Sequence, residues 1–343
     1  MKKYNVAILG ATGAVGQEFL NLIEERNFPF DTLKLLASSR SAGKVIKFMG
    51  NNYIVEEATD DSFKNIDIAL FAGGSASTKF APAAVKSGAI VIDNSSAFRM
   101  DPEVPLIVPE VNPEDIKKHK GIIANPNCST IIMAMALKPL YNQAKIKRIV
   151  VSTYQAVSGA GKEAIDELDN QVQAIVENRP TEANILPSAS LPKHYQIAFN
   201  VIPQIDAFME DGYTKEEMKM VHETHKILND YNIGISATTI RIPVYRSHSE
   251  SINIEFDQEL SVQQAKELLA AFPGVIVQDE PKEQLYPMPL FTSNQNEVFV
   301  GRIRKDESVA HGLNLWVVGD QIRKGAALNA LQIAEYMIEH NLI

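Results

Sequence analysis

Cys128 is the only cysteine of the 343-residue chain, and its surroundings favour chemistry over packing. It lies in the sequence Asn-Pro-Asn-Cys-Ser-Thr, between the apolar runs 122–124 and 131–137. A thiolate at the N-terminus of a helix is stabilised by the helix dipole and is nucleophilic near neutral pH. A lone cysteine is more often an inert core residue, but a polar turn after a sheet strand is where α/β proteins bind ligands. The position therefore predicts a nucleophile.

A glycine-rich turn near the N-terminus predicts a dinucleotide site. Gly10, Gly13 and Gly16 lie between an apolar run at 6–9 and a helical pattern at 15–24. Glycines let the backbone approach a pyrophosphate, and the N–H groups of a helix N-terminus face it. The spacing is GxxGxxG rather than GxGxxG, so a tight turn without a ligand is the alternative.

The end of the next strand indicates which dinucleotide is bound. NAD-binding proteins usually place an acidic residue there to hold the ribose hydroxyls. Here the chain has Ser38, Arg40, Ser41 and Lys44 and no acid. Hydroxyls and two cations suit a ribose 2′-phosphate, which favours NADP; the alternative is an ordinary solvated basic loop.

The elements that position these residues alternate in the first part of the chain. Strand-like runs separated by helices or loops predict a parallel sheet with helices on both faces. The runs lie at 6–9, 33–37, 68–71, 90–92 and 122–124.

The pattern changes after Cys128 and predicts a second domain of α+β type with a larger, partly antiparallel sheet. Longer strands are expected at 149–153, 237–244, 251–256 and 313–318, and amphipathic helices at 214–228 and 261–271. Residues 178–203 are rich in Pro, Ser and Asn and lack clear periodicity, so we expect a long ordered loop or an interface arm there. Residues 324–338 are predicted to form a helix.

Composition argues against several classes of partner. The net charge of −9 does not favour nucleic acid or an anionic membrane, so an anionic ligand requires a local basic cluster. The single cysteine excludes an intramolecular disulfide framework and indicates a reducing compartment. The N-terminal apolar run is too short for a signal peptide, and no stretch reaches the ~18 apolar residues of a membrane helix. We expect a cytoplasmic protein.

The sequence resembles the aspartate-semialdehyde dehydrogenase family from residue 5 to about 335. NPNCST resembles the active-site motif of that family, and GATGAVG its nucleotide-binding turn. Further motifs of the family follow in order along the chain. They are Asp93–Arg99, Gln155–Gly161, Glu223–Lys226, Arg241–His248 and Gly319–Ala327.

The resemblance implies an α/β fold with two domains and a homodimer. A Rossmann-type domain would comprise 1–127 and the C-terminal helix 322–343, and a catalytic and dimerisation domain 128–321. It implies reversible conversion of 4-phospho-L-aspartate, NADPH and a proton into L-aspartate 4-semialdehyde, phosphate and NADP, a step toward lysine or diaminopimelate, threonine and methionine. No metal is expected. An aldehyde gives up hydride only after a nucleophile makes it tetrahedral, and phosphate can attack the resulting thioester.

The resemblance also implies a role for each matching residue. Cys128 is the nucleophile, His248 the acid/base, and Gln155 orients the substrate. Arg241 binds the α-carboxylate and Glu216 the α-ammonium, while Arg99 and Lys219 bind phosphate. The cofactor is contacted by Gly10, Thr12, Gly13, Ala14, Val15, Ser38, Arg40, Ser41, Ser158, Gly159 and Gln321.

Each assignment has a simpler alternative. His248 is one of seven histidines and could be a solvated surface residue. Gln155 could be a turn residue, and Glu216 with Lys219 part of an ordinary charged helix start. At the level of the whole protein, the alternatives are a related acyl-phosphate reductase, acting on N-acetyl-glutamyl phosphate or glyceraldehyde 3-phosphate, and a non-catalytic NADP-binding protein.

Overall fold

A computed structural model describes residues 2–343 of the chain, which fall into two compact units. Unit 1 comprises the described residues through Asn127 together with Gly325–Ile343, and unit 2 comprises Cys128–Lys324. No helix within residues 2–343 is long and apolar enough to cross a membrane.

Fourteen strands and eight α-helices make up the described chain. The strands are β1 (Tyr4–Leu9), β2 (Phe30–Ala37), β3 (Val45–Phe48), β4 (Asn51–Ile54), β5 (Glu56–Glu57), β6 (Ile68–Phe71), β7 (Ile90–Asp93), β8 (Ile122–Ala124), β9 (Ile146–Gln155), β10 (Gly234–Arg241), β11 (His248–Phe256), β12 (Val275–Val277), β13 (Val298–Asp306) and β14 (Gly312–Gly319). The helices are α1 (Ala14–Glu25), α2 (Ala76–Lys86), α3 (Cys128–Gln143), α4 (Lys162–Val176), α5 (Lys215–Leu228), α6 (Val262–Ala270), α7 (Pro289–Thr292) and α8 (Leu328–Glu339).

Unit 1 is built on a parallel sheet with strand order β5-β2-β1-β6-β7-β8. Alternate residues of β1 point to opposite faces, so Val6 and Ile8 pack with α1 and α8, whereas Ala7 and Leu9 pack with α2. The prediction of a parallel sheet covered by helices on both faces is confirmed. The predicted pattern did not include the antiparallel hairpin β3–β4, whose short strands are mostly exposed.

Unit 2 contains a mixed six-stranded sheet with strand order β10-β9-β11-β14-β13-β12. β10 runs parallel to β9, while β11, β14 and β13 follow in antiparallel pairs. The predicted α+β character is confirmed. The predicted strand 237–244 ends at Arg241 instead, because Pro243 has no N–H to continue a ladder.

The start of α5 shows how a polar sequence fixes a helix end. The Thr214 hydroxyl accepts from the Glu217 N–H at 3.3 Å, and the Glu217 carboxylate accepts from the Thr214 N–H at 2.7 Å. This reciprocal capping satisfies two N–H groups that the helix leaves unpaired. The other Glu217 oxygen accepts from the Thr239 N–H on β10 at 3.0 Å, so α5 is anchored to the sheet.

The predicted helix 324–338 has two parts. Arg323–Ala327 form a π-helical turn, and the α-helix α8 follows from Leu328. A π-turn is rare and has no sequence periodicity that distinguishes it from an α-helix.

Candidate active site

The glycine turn of unit 1 has the shape that a close backbone approach requires. Gly10 follows β1 and has a φ of +86°, a region that favours glycine. A Cβ on Gly16 would lie 2.2 Å from the Gly10 carbonyl oxygen, so helix and turn are in contact. The turn is completed by Thr12, Gly13, Ala14 and Val15, none of which is buried. The first N–H groups of α1 therefore begin at an accessible position.

The loop after β2 approaches this turn. The Thr12 hydroxyl donates to the Ser41 hydroxyl at 3.4 Å, and the Lys44 ammonium lies 3.5 Å from the same oxygen. Ser38 and Arg40 are exposed beside them. Unit 1 therefore brings together the two segments that the sequence indicated as a dinucleotide site.

Arg99 also belongs to unit 1 and is buried. Its guanidinium donates to the Asn94 carbonyl at 2.8 Å. The Asn94 side chain accepts from Asn125 at 2.9 Å, and the Asn125 side chain accepts from Asn329 of α8 at 2.7 Å. These amides join the ends of β7 and β8 to the C-terminal helix, a link between distant segments that no local sequence pattern indicates.

Cys128 is the first residue of α3 and is partly exposed. The position follows from the sequence, because Pro126 disfavours helix before it and a long apolar run follows. The residues after Cys128 are almost all buried, from Ser129 to Leu137. The predicted location of the thiol at a helix N-terminus is therefore observed.

Three neighbouring strands of unit 2 carry polar side chains at the same end of the sheet, where β10 and β9 finish and β11 begins. Arg241 at the end of β10 pairs with Gln155 at the end of β9. β11 runs the other way, with Ser249 opposite Tyr154, so its first residue His248 lies beside Gln155. All three predicted side chains are buried. Strand pairing thus collects residues that are far apart in sequence.

His248 is fully buried, which excludes the alternative of a solvated surface residue. Its Nδ1 accepts from the Ala156 N–H at 3.1 Å, so the uncharged ring carries its proton on Nε2. Burial lowers the pKa of His248 well below its ordinary value, and the positive charge of Arg241 lowers it further. The imidazole is therefore neutral at neutral pH.

Arg241 and His248 meet at Gly159. The Arg241 Nη1 donates to the Ala156 carbonyl at 2.6 Å. A Cβ on Gly159 would lie 2.8 Å from that nitrogen and 3.3 Å from His248 Nε2. Burial lowers the pKa of Arg241, and the charges of Glu216 and Cys128 act in the opposite direction. Cys128 thus lies within electrostatic range of the guanidinium.

Glu216 and Lys219 lie one turn apart on α5 and form an ion pair at 3.1 Å. The other Glu216 oxygen accepts from the Gln155 side-chain amide at 3.3 Å, and that amide also donates to the Thr153 hydroxyl at 3.2 Å. Glu216 is buried, which rules out a fully solvated helix face. Three predicted residues of unit 2 are thereby joined.

Gln321 and Ser158 are also in direct contact. The Gln321 amide donates to the Ser158 hydroxyl, and its oxygen accepts from the Ser247 N–H at 2.8 Å. Asp320, buried beside it, accepts from the N–H groups of Ile322 and Arg323. The predicted cofactor-binding residues of unit 2 are thus held by buried hydrogen bonds.

Two buried or half-buried acids near these residues were not predicted. Glu250, two residues after His248 on β11, is fully buried, and neither carboxylate oxygen has a hydrogen-bond partner within residues 2–343. Burial raises its pKa well above the ordinary value. Asp206 contacts Lys219 at 3.0 Å. Alternation along β11 could have indicated a shared face for His248 and Glu250, whereas nothing in the sequence points to Asp206.

No group of three or more His, Cys, Asp or Glu side chains across residues 2–343 is arranged to hold a metal ion.

Family comparisons match both units. The NAD-binding domain of semialdehyde dehydrogenases matches residues 5–119, and their dimerisation domain matches residues 137–324. The aspartate-semialdehyde dehydrogenase of Aquifex aeolicus is 59% identical over 99% of both chains. The Bacillus subtilis enzyme of the same name is 54% identical over 99% of both chains.

Solved structures agree with these matches. Aspartate semialdehyde dehydrogenase II from Vibrio cholerae, complexed with ASA, has a TM-score of 0.93 and 47% identity, covering 99% of both chains. The Candida albicans aspartate semialdehyde dehydrogenase, solved with NADP, has a TM-score of 0.76 and 25% identity over 100% of both chains.

Proposed function

Because this chain belongs to the aspartate-semialdehyde dehydrogenase family of oxidoreductases, we propose that it converts L-aspartate 4-semialdehyde reversibly into 4-phospho-L-aspartate. The reaction uses NADP and inorganic phosphate and proceeds through a thioester on Cys128. The reductive direction serves the synthesis of lysine or diaminopimelate, threonine and methionine. The enzyme acts as a cytoplasmic homodimer, with catalysis assigned to residues 128–321 and dinucleotide binding to 1–127 and 322–343. The proposal rests on one arrangement: the only thiol of the sequence begins α3, and strand pairing in the same unit places the buried Gln155, Arg241 and His248 together.

The thiol supplies the covalent step. Sulfur of Cys128 attacks the aldehyde carbon and forms a hemithioacetal, which becomes a thioester when hydride departs. Phosphate oxygen then attacks the thioester carbon, the C–S bond breaks, and the thiolate is regenerated. The dipole of the 16-residue helix α3 supports the thiolate form before and after these steps.

His248 handles the proton on the reacting oxygen. Its Nε2 holds a proton in the neutral ring and faces the space beside Gly159. In the reductive direction this N–H donates a hydrogen bond to the oxygen that becomes negative when hydride reaches the thioester carbon, and so stabilises that charge until the oxygen is protonated. Gln155, held by Glu216 and Thr153, orients the same oxygen.

The charged side chains of unit 2 suit an amino acid. Arg241 offers a planar pair of donors to an α-carboxylate, and its burial in a water-poor site strengthens that pairing. Glu216 pairs with the α-ammonium. Lys219, and Arg99 of unit 1, are each assigned to phosphate, which reacts only after the thioester has formed.

The residues present also fit a bound dinucleotide. The positive φ of Gly10, the tight contact at Gly16 and the open start of α1 form a cradle that larger residues would fill. Thr12, Gly13, Ala14 and Val15 would line the pyrophosphate, with Ser38, Arg40 and Ser41 at the ribose phosphate. Ser158, Gly159 and Gln321 would hold the nicotinamide, whose ring, when bound, accepts the hydride of the aldehyde.

An aldehyde panel tests the proposal. Purified protein is mixed with NADP and aspartate semialdehyde, N-acetylglutamate semialdehyde or glyceraldehyde 3-phosphate, with and without phosphate, and absorbance at the NADPH band is followed. We expect phosphate-dependent NADPH formation with aspartate semialdehyde and its loss in Cys128→Ser, which should still bind NADP. Preference for another aldehyde would indicate a related acyl-phosphate reductase. No turnover with any of them would favour the non-catalytic alternative.

A further inference from the structure

Asp206 lies in the irregular chain segment before α5 and holds a fixed orientation. Its Oδ1 accepts from the Ala207 N–H at 2.8 Å, and its Oδ2 accepts from the Lys219 ammonium at 3.0 Å. The backbone carbonyl of Asp206 accepts from the Gln204 amide at 3.1 Å, and its φ of +68° is unusual for a residue with a side chain. Both carboxylate oxygens are therefore engaged as acceptors, a task that an amide cannot perform.

Lys219 consequently lies between two carboxylates, Asp206 at 3.0 Å and Glu216 at 3.1 Å. Burial lowers the pKa of Lys219, but the two carboxylates together outweigh burial and raise it. The lysine therefore stays charged. An ammonium has three donors, so one remains for a further acceptor after both carboxylates are satisfied.

The net charge of these side chains determines how strongly Glu216 attracts a cation and how strongly Lys219 attracts an anion. The charge of Arg241 also acts on Glu216. Lys219, Arg241 and Glu216 alone would carry one net positive charge, whereas with Asp206 the four side chains are neutral overall and Lys219 is shared between two carboxylates. The second oxygen of Glu216 contacts the neutral amide of Gln155. Glu216 therefore retains attraction for a cation, while Lys219 has less attraction for an anion than an isolated ammonium.

We propose that Asp206 is a specificity-determining positioning residue that shares Lys219 with Glu216. By doing so it keeps Glu216 negative enough to bind the ammonium of an amino-bearing aldehyde, and it limits the affinity of Lys219 for inorganic phosphate. This inference rests on the proposed function, which assigns the ammonium to Glu216 and the phosphate to Lys219.

Asp206→Asn should therefore move two Michaelis constants in opposite directions. The KM for aspartate semialdehyde should rise about fivefold and the KM for phosphate should fall about fivefold, the size expected for one partly screened charge. Succinate semialdehyde, which lacks the amino group, should be affected little, so the preference for the amino-bearing aldehyde should narrow. A merely structural loss would raise both Michaelis constants, because a disordered Lys219 would neither hold Glu216 in place nor bind phosphate.

Two variants control the measurement. Asp206→Glu keeps the charge and should leave both Michaelis constants close to their wild-type values. Asp211→Asn removes a charge from the same segment, where the exposed Asp211 only accepts from the Tyr213 N–H, and should change neither constant.

The outcomes separate this inference from the proposed function. If Glu216→Gln and Lys219→Ala leave both constants unchanged, the proposed substrate site is wrong. If those variants raise the constants for aldehyde and phosphate respectively while Asp206→Asn moves both in one direction or neither, the proposed site stands and the role of Asp206 is overturned. Opposite shifts in Asp206→Asn, absent in Asp211→Asn, support it.

Discussion

The glycine turn of unit 1 and the strand-end cluster of unit 2, which consists of Gln155, Arg241 and His248, depend on different physical effects. In the turn, the backbone matters: Gly10 adopts a positive φ and Gly16 leaves no space for a side chain. In the cluster, the side chains matter: Arg241 and His248 are buried, and the charge of Arg241 lowers the pKa of His248. Buried charges interact strongly because little water screens them.

The two regions should therefore be sensitive to different substitutions. The turn depends on shape, whereas the cluster depends on placement of charges and protons within a few ångströms. Removing a surface charge from unit 1 should therefore change the binding constant for one cofactor. Small side-chain changes in unit 2 should affect catalysis.

Gly159→Ala should lower kcat/KM by about a hundredfold, because its methyl group would displace Arg241 and His248 from their positions. Steady-state kinetics with aspartate semialdehyde and phosphate would measure the loss. Gly234→Ala is the matched control, since a Cβ there makes only an ordinary 3.6 Å contact. Wild-type activity in Gly159→Ala would show that this glycine does not shape the cluster.

Glu250→Gln should stabilise the protein at high pH. The folded-state pKa of Glu250 is raised by burial, so the folded protein keeps this proton after the unfolded chain has lost it. Wild-type stability is thus fully present below about pH 4.5 and falls as pH rises toward the folded pKa. We expect the stability of the variant relative to the wild type, measured by urea unfolding, to be higher at pH 8 than at pH 5. Glu255→Gln, on the same strand but more exposed, is the control; a pH-independent difference for Glu250→Gln would contradict this account.

The contrast between the regions also explains what the sequence could reveal. Strand, glycine turn and helix follow one another locally, so the dinucleotide turn and the position of Cys128 were predictable. Gln155, Arg241 and His248 come together only through the pairing of β9, β10 and β11. Periodicity does not determine that pairing, and family resemblance selected His248 among seven histidines.

Other features escaped prediction for physical reasons. Asp206 lies in a segment without periodicity, and its ion pair spans 13 residues. Glu250 breaks the rule that a buried strand face is apolar, so hydrophobic patterning gave it no weight. The hairpin β3–β4 is short and mostly exposed, and its sequence lacks a strong alternation.

Arg241→Lys should reduce kcat/KM by at least ~10-fold, since one ammonium cannot reproduce a planar pair of donors. Burial that lowers the pKa of Arg241 would also disfavour a charged lysine at this position. Kinetics in the oxidative direction would measure the effect. Arg148→Lys, at an exposed position of β9, should be neutral, and an equally neutral Arg241→Lys would remove Arg241 from substrate binding.

Arg40→Ala should produce the smallest effect, confined to one cofactor. The exposed Arg40 lies beside Ser38 and Ser41, and only NADP carries the 2′-phosphate that these side chains would hold. We expect the Kd for NADP to rise about fivefold and the Kd for NAD to stay unchanged. Lys47→Ala, on the neighbouring hairpin, controls for general charge loss. Equal weakening of both cofactors would show that Arg40 does not read the phosphate.

A phosphate-free burst experiment tests whether Cys128 carries the acyl group as a thioester. Rapid mixing of the wild-type enzyme with NADP and aspartate semialdehyde should release about one NADPH per site and then nearly stop, because no phosphate is available to free the acyl group. Mass spectrometry of the quenched protein should locate the acyl group on Cys128, and adding phosphate should restart turnover. Sustained turnover without phosphate, or a burst that leaves Cys128 unmodified, would contradict the mechanism.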